Sequence, residues 1–279
     1  MSVVLITGCS SGFGMLAAVE FARRGDTVFA SMRDTKKSGP LLDAAKAAGV
    51  SLEVVALDVG DRASVDACVA AVIARAGRLD VLVNNAGLGI HGSIEDAADD
   101  EVAHIFDTNV FGLLRVTRAA LPQMRAQGSG TIINVGSLAG KVSAPFGGVY
   151  AASKHAVEAL SDALYYELHP FGVRVVLIEP GGFGTRFGPN RVMERKFDER
   201  SPYAELERRF AERQGRLPGG GQPGDAQVVA NAIADAAKSE QPKRRYLVGA
   251  DAEMIGGLQK QMSDEDFEKA MRTALDFWD

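Results

Sequence analysis

Apolar residues fall along the chain in two alternating patterns, and that alternation predicts the fold. Short runs rich in β-branched residues recur at Val3–Ile6, Thr27–Ala30, Leu52–Ala56, Val81–Val83, Thr131–Val135, Arg174–Ile178 and Arg245–Val248. Between them lie Ala-rich stretches of helical period, at Met15–Arg24, Ala63–Ala76, Asp99–Gln127, Val149–His169 and Asp225–Ser239. Apolar strands alternating with helices imply a parallel sheet covered on both faces. Right-handed crossovers make such a sheet doubly wound. Seven strands in one unbroken alternation, without a repeat of solenoid length, predict a single domain over residues 1–279.

One stretch breaks the pattern. Gly181 to Gly224 is rich in Gly, Arg, Glu and Pro, with a polar-faced helix expected over Tyr203–Gln214 and a Pro/Gly run from Leu217 to Gly224. It follows the sixth strand and so leaves the carboxyl edge of the sheet, where open α/β sheets bind ligands. Long excursions from a compact domain are usually functional or mobile. A substrate lid at about 181–224 is the expectation, and Phe183, Phe187, Val192, Met193 and Phe197 lean it toward an apolar substrate. The C-terminal run Asp264–Asp279, with Phe267, Met271 and Phe277-Trp278, reads as an amphipathic helix. Its acidic polar face favours packing on the core or a subunit over membrane contact.

Composition adds exclusions. Of 279 residues, 46% are hydrophobic and 24% charged, enough for a core that needs neither disulfides nor a metal. A net charge of -5 weighs against nucleic acid and against an anionic membrane surface as partners. Two cysteines, Cys9 and Cys68, make no disulfide framework and suit no metal site, so free thiols in a reducing compartment are expected. The N-terminal apolar run is too short for a signal peptide, and no window reaches a membrane span. A cytoplasmic enzyme follows as the simplest expectation.

The candidate chemistry starts at Thr7-Gly8-Cys9-Ser10-Ser11-Gly12-Phe13-Gly14, between the first strand and the first helix. Glycines there permit a tight turn and let a pyrophosphate approach the helix N-terminus, where free N–H groups and the helix dipole favour an anion. Ser10 and Ser11 add hydroxyl donors. The Gly-x-x-x-Gly-x-Gly spacing departs from the common dinucleotide fingerprint, and its position at the first strand-to-helix junction carries the argument.

The second strand bears on the cofactor. It ends in Ser31-Met32-Arg33-Asp34, with Ser31 or Met32 where an acid would hold the ribose hydroxyls of NAD. The Arg33 guanidinium suits a 2′-phosphate, which favours NADP(H) over NAD(H). The competing reading leaves Arg33 solvated and gives the acid's task to Asp34. Asp58, followed by Val59 at the end of the third strand, is placed to bond the adenine amino group.

Tyr150 and Lys154 stand four apart on a predicted helix and share a face. A tyrosine, with a pKa of about 10, is a poor base at neutral pH unless a cation favours the phenolate, and Lys154 supplies one. Ser137, just past the fifth strand, can reach the same sheet edge and hold a substrate oxygen. Asn109 lies within the expected helix Asp99–Gln127, where an amide needs a partner. Two readings stand: it holds a water on a proton route through Lys154, or it is a buried amide satisfied by the protein. His91 is expected in a loop near the sheet edge.

Together Thr7–Gly14, Asp58, Asn84-Asn85-Ala86-Gly87, Asn109, Ser137, Tyr150-Ala151-Ala152-Ser153-Lys154 and Pro180-Gly181 resemble the short-chain dehydrogenase/reductase family in its single-domain form. They match in order and spacing over nearly the whole chain. The resemblance implies a Rossmann-type doubly wound seven-stranded parallel sheet and an NAD(P)-dependent alcohol/carbonyl oxidoreductase. It makes Tyr150 the acid/base, Lys154 its activator and ribose anchor, Ser137 the carbonyl orienter and Asn109 the fourth member. It assigns Gly8, Gly12 and Gly14 to the phosphate turn, Asn85, Ala86 and Gly87 to the adenosine side, and Pro180, Gly181 and Thr185 to the nicotinamide border. The glycine turn, Ser31-Met32-Arg33-Asp34 and Tyr246–Asp251 look like hydroxysteroid- and retinol-dehydrogenase-like members, implying NADP(H) and a bulky apolar alcohol or ketone. Against NADP, Ser11 stands where many NADP users of the family carry a basic residue. The family's pairing helices resemble Asp99–Gln127 and Val149–His169, so a homodimer or homotetramer is expected. The competing classes are a nucleotide-binding regulator without turnover and an epimerase or dehydratase acting on a nucleotide-sugar.

Overall fold

The computed structural model describes residues 1–185, 187–188, 192–214 and 224–276. The expected Pro/Gly run at 217–223 and Phe277-Trp278 lie outside the described residues.

Seven parallel strands form the main sheet: β1 Val3–Ile6, β2 Thr27–Met32, β3 Glu53–Ala56, β4 Val81–Asn84, β6 Gly130–Val135, β7 Val173–Pro180 and β9 Arg245–Val248. Their order is β3-β2-β1-β4-β6-β7-β9. The chain winds outward from β1 on one side and from β4 on the other, so a crevice opens between β1 and β4 at the carboxyl edge. Alternate residues of β1 serve opposite faces. Val4 and Ile6 pack with helices α1 (Gly12–Arg23) and α8 (Gln227–Lys238). Val3 and Leu5 pack with α3 (Arg62–Ala76), α5 (Leu113–Gln127) and α6 (Gly148–Leu168). The doubly wound reading therefore holds, with both strand faces buried as the apolar runs required.

Four departures bear on the site. The helix expected over Asp99–Gln127 is interrupted: α4 spans Asp99–Phe106, a π-helical turn spans Asp107–Gly112, and α5 follows. Gly112 packs so closely that a Cβ there would lie 2.8 Å from Val59 Cγ2. The π turn carries Asn109, and such turns concentrate at functional sites. A two-stranded pair, β5 (Ile90–His91) with β8 (Val192–Met193), joins the start of the excursion to the loop after β4, so His91 is a strand residue rather than a loop residue. Helices α2 (Gly39–Ala47) and α9 (Ala250–Gln261) were not expected. Within the excursion α7 spans Ala204–Gln214, and α10 spans Asp264–Leu275. Phe210 of α7 and Leu275 of α10 bury against Phe146, with Phe197, Tyr203 and Met271 around them. No helix among the described residues is long and apolar enough to cross a membrane.

Candidate active site

A cleft of about 890 Å³ follows the carboxyl edge of the sheet. Its floor near β1 is the glycine turn. Gly8 and Gly12 take left-handed φ values of +74° and +60°, and a Cβ on Gly8 would lie 2.9 Å from Ala86 Cα. The turn is pinned from the side. Thr7 Oγ1 accepts the backbone N–H groups of Asn85 and Ala86, and Asn85 Nδ2 donates to the Thr7 carbonyl at 2.8 Å. Helix α1 begins at Gly12, so its free N–H groups face the cleft, with Ser10, Ser11 and Phe13 in the wall. Gly14 corrects the expectation. It does not line the cleft; a Cβ there would lie 2.6 Å from the Gly8 carbonyl oxygen, so this glycine lets α1 start directly behind the turn.

At the end of β2, Met32 and Arg33 line the cleft, and so does Lys37, which sequence reasoning missed. Asp34 instead accepts the Lys36 N–H at 3.1 Å and caps the short 3-10 turn Thr35–Lys37, away from the cleft lining. That capped turn is what brings Lys37 round toward Arg33. Asp58 and Val59 line the next part of the wall, Asp58 Oδ1 accepting the Gly60 N–H at 2.9 Å. Asn85, Ala86 and Gly87 line the crevice after β4. These residues fit a dinucleotide: a turn closed to any Cβ, an unspent helix N-terminus, and two cations at the end of β2 with Asp58 on the neighbouring strand end.

Ser137, Tyr150 and Lys154 meet at the other end of the same cleft, whose wall also holds Pro180 and Gly181, while Thr185 lies against the glycine turn, where a Cβ on Gly12 would be 3.5 Å from the Thr185 Cβ. Ser137 follows β6 and caps the turn Leu138–Gly140, its Oγ accepting the Ala139 N–H at 3.1 Å. That acceptance leaves its own O–H to donate. Tyr150 sits in the first turn of α6 and Lys154 one turn on. Lys154 Nζ donates to the Val135 carbonyl at 2.8 Å and lies 5.8 Å from the centre of the Tyr150 ring. Desolvation pushes the Tyr150 phenol up to about 12, with the Ser137 hydroxyl opposing it. Desolvation pulls Lys154 down to about 8, with the negative charge of Glu158 opposing. Burial is the larger effect on the phenol, so at neutral pH the tyrosine is the protonated, donating form.

Asn109 does not reach the cleft lining. Its Oδ1 accepts the Leu88 N–H at 2.8 Å, and its Nδ2 donates to the Leu88 carbonyl at 2.9 Å and to Ser153 Oγ at 3.0 Å. Both amide hydrogens are committed to protein partners, so the side chain braces the loop after β4 against α6. Of the two sequence readings, the geometry matches the satisfied buried amide.

The sequence model of the short chain dehydrogenase family matches residues 2–196. The 3-ketodihydrosphingosine reductase of Bacteroides thetaiotaomicron is 39% identical over 203 residues, covering 73% of this chain and 72% of that one. Human 17-beta-hydroxysteroid dehydrogenase type 1 is 44% identical over 206 residues, covering 70% of this chain and 62% of the human one. A short-chain dehydrogenase from Streptomyces avermitilis superposes with a TM-score of 0.80 at 37% identity, covering 98% of this chain and 95% of that chain. With the sheet order, the glycine turn and the Ser137, Tyr150 and Lys154 cluster in one cleft, these matches place the chain in the short-chain dehydrogenase/reductase family, the NAD(P)-dependent oxidoreductases that act on CH–OH groups.

Proposed function

We propose that this protein interconverts a bulky apolar alcohol and its ketone or aldehyde, with NADP(H) preferred and Tyr150 as the acid/base. The observation that carries the reading is the shared cleft: Arg33 and Lys37 stand at one end and Ser137, Tyr150 and Lys154 at the other. Two cations, with no acid from the end of β2 in the cleft lining, suit a 2′-phosphate. Asp34, the residue that would argue for NAD, is spent on its own turn. Phe183 and Phe187 in the wall, and relatives named for a hydroxysteroid and for 3-ketodihydrosphingosine, favour an apolar substrate.

A bound reduced nicotinamide supplies the hydride. The chain supplies the rest. The glycine turn and the N-terminus of α1 hold the pyrophosphate. Ser137 donates a hydrogen bond to the substrate oxygen, and Tyr150 donates its phenolic proton to that oxygen as the carbon is reduced. Lys154, charged below about pH 8, stabilises the phenolate left behind. Oxidation uses the same groups in reverse. The described part of the excursion borders the substrate end, with the Phe187 ring 5.4 Å from the Tyr150 ring.

Fluorescence titration of NADPH and NADH against wild type and Arg33→Ala tests the cofactor reading. NADPH should bind the wild type more tightly and lose about tenfold or more in the variant, the loss of one charged hydrogen bond. NADH should be unaffected. Equal binding of both cofactors by the wild type would overturn the preference.

A further inference from the structure

Behind the catalytic wall lies a set of buried charges that the reaction just described does not use. Glu158 stands one turn after Lys154 on α6, with its side chain 9% exposed, and Glu179 stands on β7 with 1% exposed. Both face Lys141, which follows the turn capped by Ser137. Lys141 Nζ lies 2.8 Å from Glu158 Oε2 and 3.3 Å from Glu179 Oε1. Arg245 Nη2, from β9, lies 3.1 Å from Glu158 Oε2 and 2.8 Å from Asp162 Oδ1. Arg244 closes the outer end on Asp162 at 2.6 Å. Glu158 Oε1 has no hydrogen-bond partner, and it points under the catalytic loop. A Cβ added to Gly136, the residue between the Lys154 acceptor Val135 and Ser137, would lie 3.5 Å from it.

An unpartnered carboxylate oxygen nine-tenths buried is costly. Two carboxylates sharing one lysine are costlier still, and the like charge of Glu179 disfavours ionisation of Glu158. The one mobile benefit is electrostatic. Lys154 is itself buried, donates to a neutral carbonyl, and stands one turn before Glu158 on the buried face of α6, both packed under Gly140, where a Cβ would lie 3.0 Å from the Lys154 carbonyl oxygen and 3.1 Å from Glu158 Oε1. We propose that Glu158 is a positioning residue for Lys154: its carboxylate keeps the buried ammonium charged, while Lys141, Arg245 and Glu179 set how readily that carboxylate forms. The proposal rests on Lys154 acting as the cation beside Tyr150. The direction of the titrations agrees. Burial raises Glu158 to about 7, with Lys141 opposing and Glu179 reinforcing, and Glu158 holds Lys154 above where burial alone would leave it. The groups facing Glu158 are thus Lys154 and Asp162 from α6, Lys141 from the capped turn, Glu179 from β7 and Arg245 from β9.

The test is the pH profile of kcat at saturating cofactor for wild type, Glu158→Gln, Glu179→Gln, Lys141→Met and Lys154→Met, each checked for native melting. In the wild type the alkaline limb should lie near 8. Glu158→Gln should move it down by about one unit, so that turnover at pH 9 falls about tenfold against wild type while turnover at pH 6.5 stays within about twofold. Lys141→Met should move the limb the same way, because it raises Glu158, and it provides the measurement if Glu158→Gln does not fold. Glu179→Gln removes the competing charge, so its limb should lie at or above that of wild type. A merely structural pair would lower kcat by one factor at every pH. An unmoved limb in Glu158→Gln, or limbs lowered alike in Glu158→Gln and Glu179→Gln, would overturn the proposal. Failure of the underlying reading looks different: Lys154→Met would then keep both its rate and its alkaline limb.

Discussion

The cleft and the excursion beside it are held in different ways. The cofactor end and the catalytic trio stand on strand ends and helix starts, over two apolar cores that reach zero exposure at Val4, Leu5, Ile6 and Val83. The excursion after β7 stands mainly on polar contacts. Tyr203 donates to Glu95, Ser201 donates to Asp96 at 2.7 Å, Arg195 pairs with Asp100 and Glu101, and His91 pairs with Glu207 at 2.9 Å. Its apolar contacts among the described residues are the small cluster around Phe146 and Phe210, Phe183 against Phe13 and the main core, and Phe187 on the Tyr150 ring. The family match ends at residue 196, inside that excursion. The proposed chemistry sits on packed elements; the segment proposed as the substrate lid is held largely by polar contacts, of which an exposed ion pair is worth about 1 kcal/mol at most.

The largest effect should come from the rigid side. Tyr150→Phe removes the proton donor and leaves the glycine turn, Arg33 and Lys37 untouched. Turnover should fall about a thousandfold, about 4 kcal/mol, with NADPH binding retained. If steady-state kinetics showed a loss below tenfold, Tyr150 would not be the acid/base. Next comes packing. Gly14→Ala drives a methyl into the Gly8 carbonyl and should cost about 1–3 kcal/mol, lowering Tm by several degrees and weakening cofactor binding. Gly188→Ala, in the excursion, meets nothing within 4 Å and should leave Tm unchanged. Equal melting of the two variants would erase the contrast between the regions.

Much of the rigid side was legible in the sequence because periodicity and burial speak for the same residues. All seven main-sheet strands were placed, since the inner ones are buried on both faces and the edge strands β3 and β9 still carry short β-branched or apolar runs, and Ser137, Tyr150 and Lys154 follow from where strand β6 ends and helix α6 begins. The rest depends on contacts without a local pattern. Strands β5 and β8, two residues each, are too short for any alternation. The π turn at Asp107–Gly112 changes hydrogen bonding without changing the apolar stripe, so Asn109 read as mid-helix. Lys37 reaches the cleft only because Asp34 caps its own turn. Glu158 and Glu179 look like ordinary helix and strand carboxylates until β7 and α6 bring them to one lysine.

The excursion carries one buried carboxylate of its own, and it gives a smaller, pH-dependent effect. Glu194, just after β8, is 3% exposed, and its Oε2 has no hydrogen-bond partner. Burial, then the negative charges of Glu101 and Asp96, push it up to about 7 from 4.5. A carboxyl whose folded value lies above its unfolded one binds its proton more tightly in the native state. Its contribution is therefore fully present below about pH 4.5 and is lost as pH rises through about 7. The Tm of wild type minus that of Glu194→Gln should be more favourable at pH 5 than at pH 8. A difference that is flat with pH would mean that Glu194 titrates normally.

The smallest effect is the most informative about the division of labour. His91 belongs to β5 and Glu207 to α7, so the hydrogen bond between them ties the excursion to the loop after β4, with the two side chains 12% and 26% exposed. Glu207→Ala removes the pair and touches neither the trio nor the glycine turn. A partly exposed pair of this kind contributes up to about 1 kcal/mol, which corresponds to a rise in substrate KM of no more than about fivefold. If α7 only helps to close over the substrate, that rise should appear with kcat unchanged, because an interaction lost equally from ground state and transition state leaves the chemical step alone. If kcat falls in proportion to kcat/KM while KM holds, the excursion contributes to the transition state itself. The polar segment would then belong to the catalytic machinery, and the boundary between a rigid chemical half and a loosely held recognition half would have to move past residue 207.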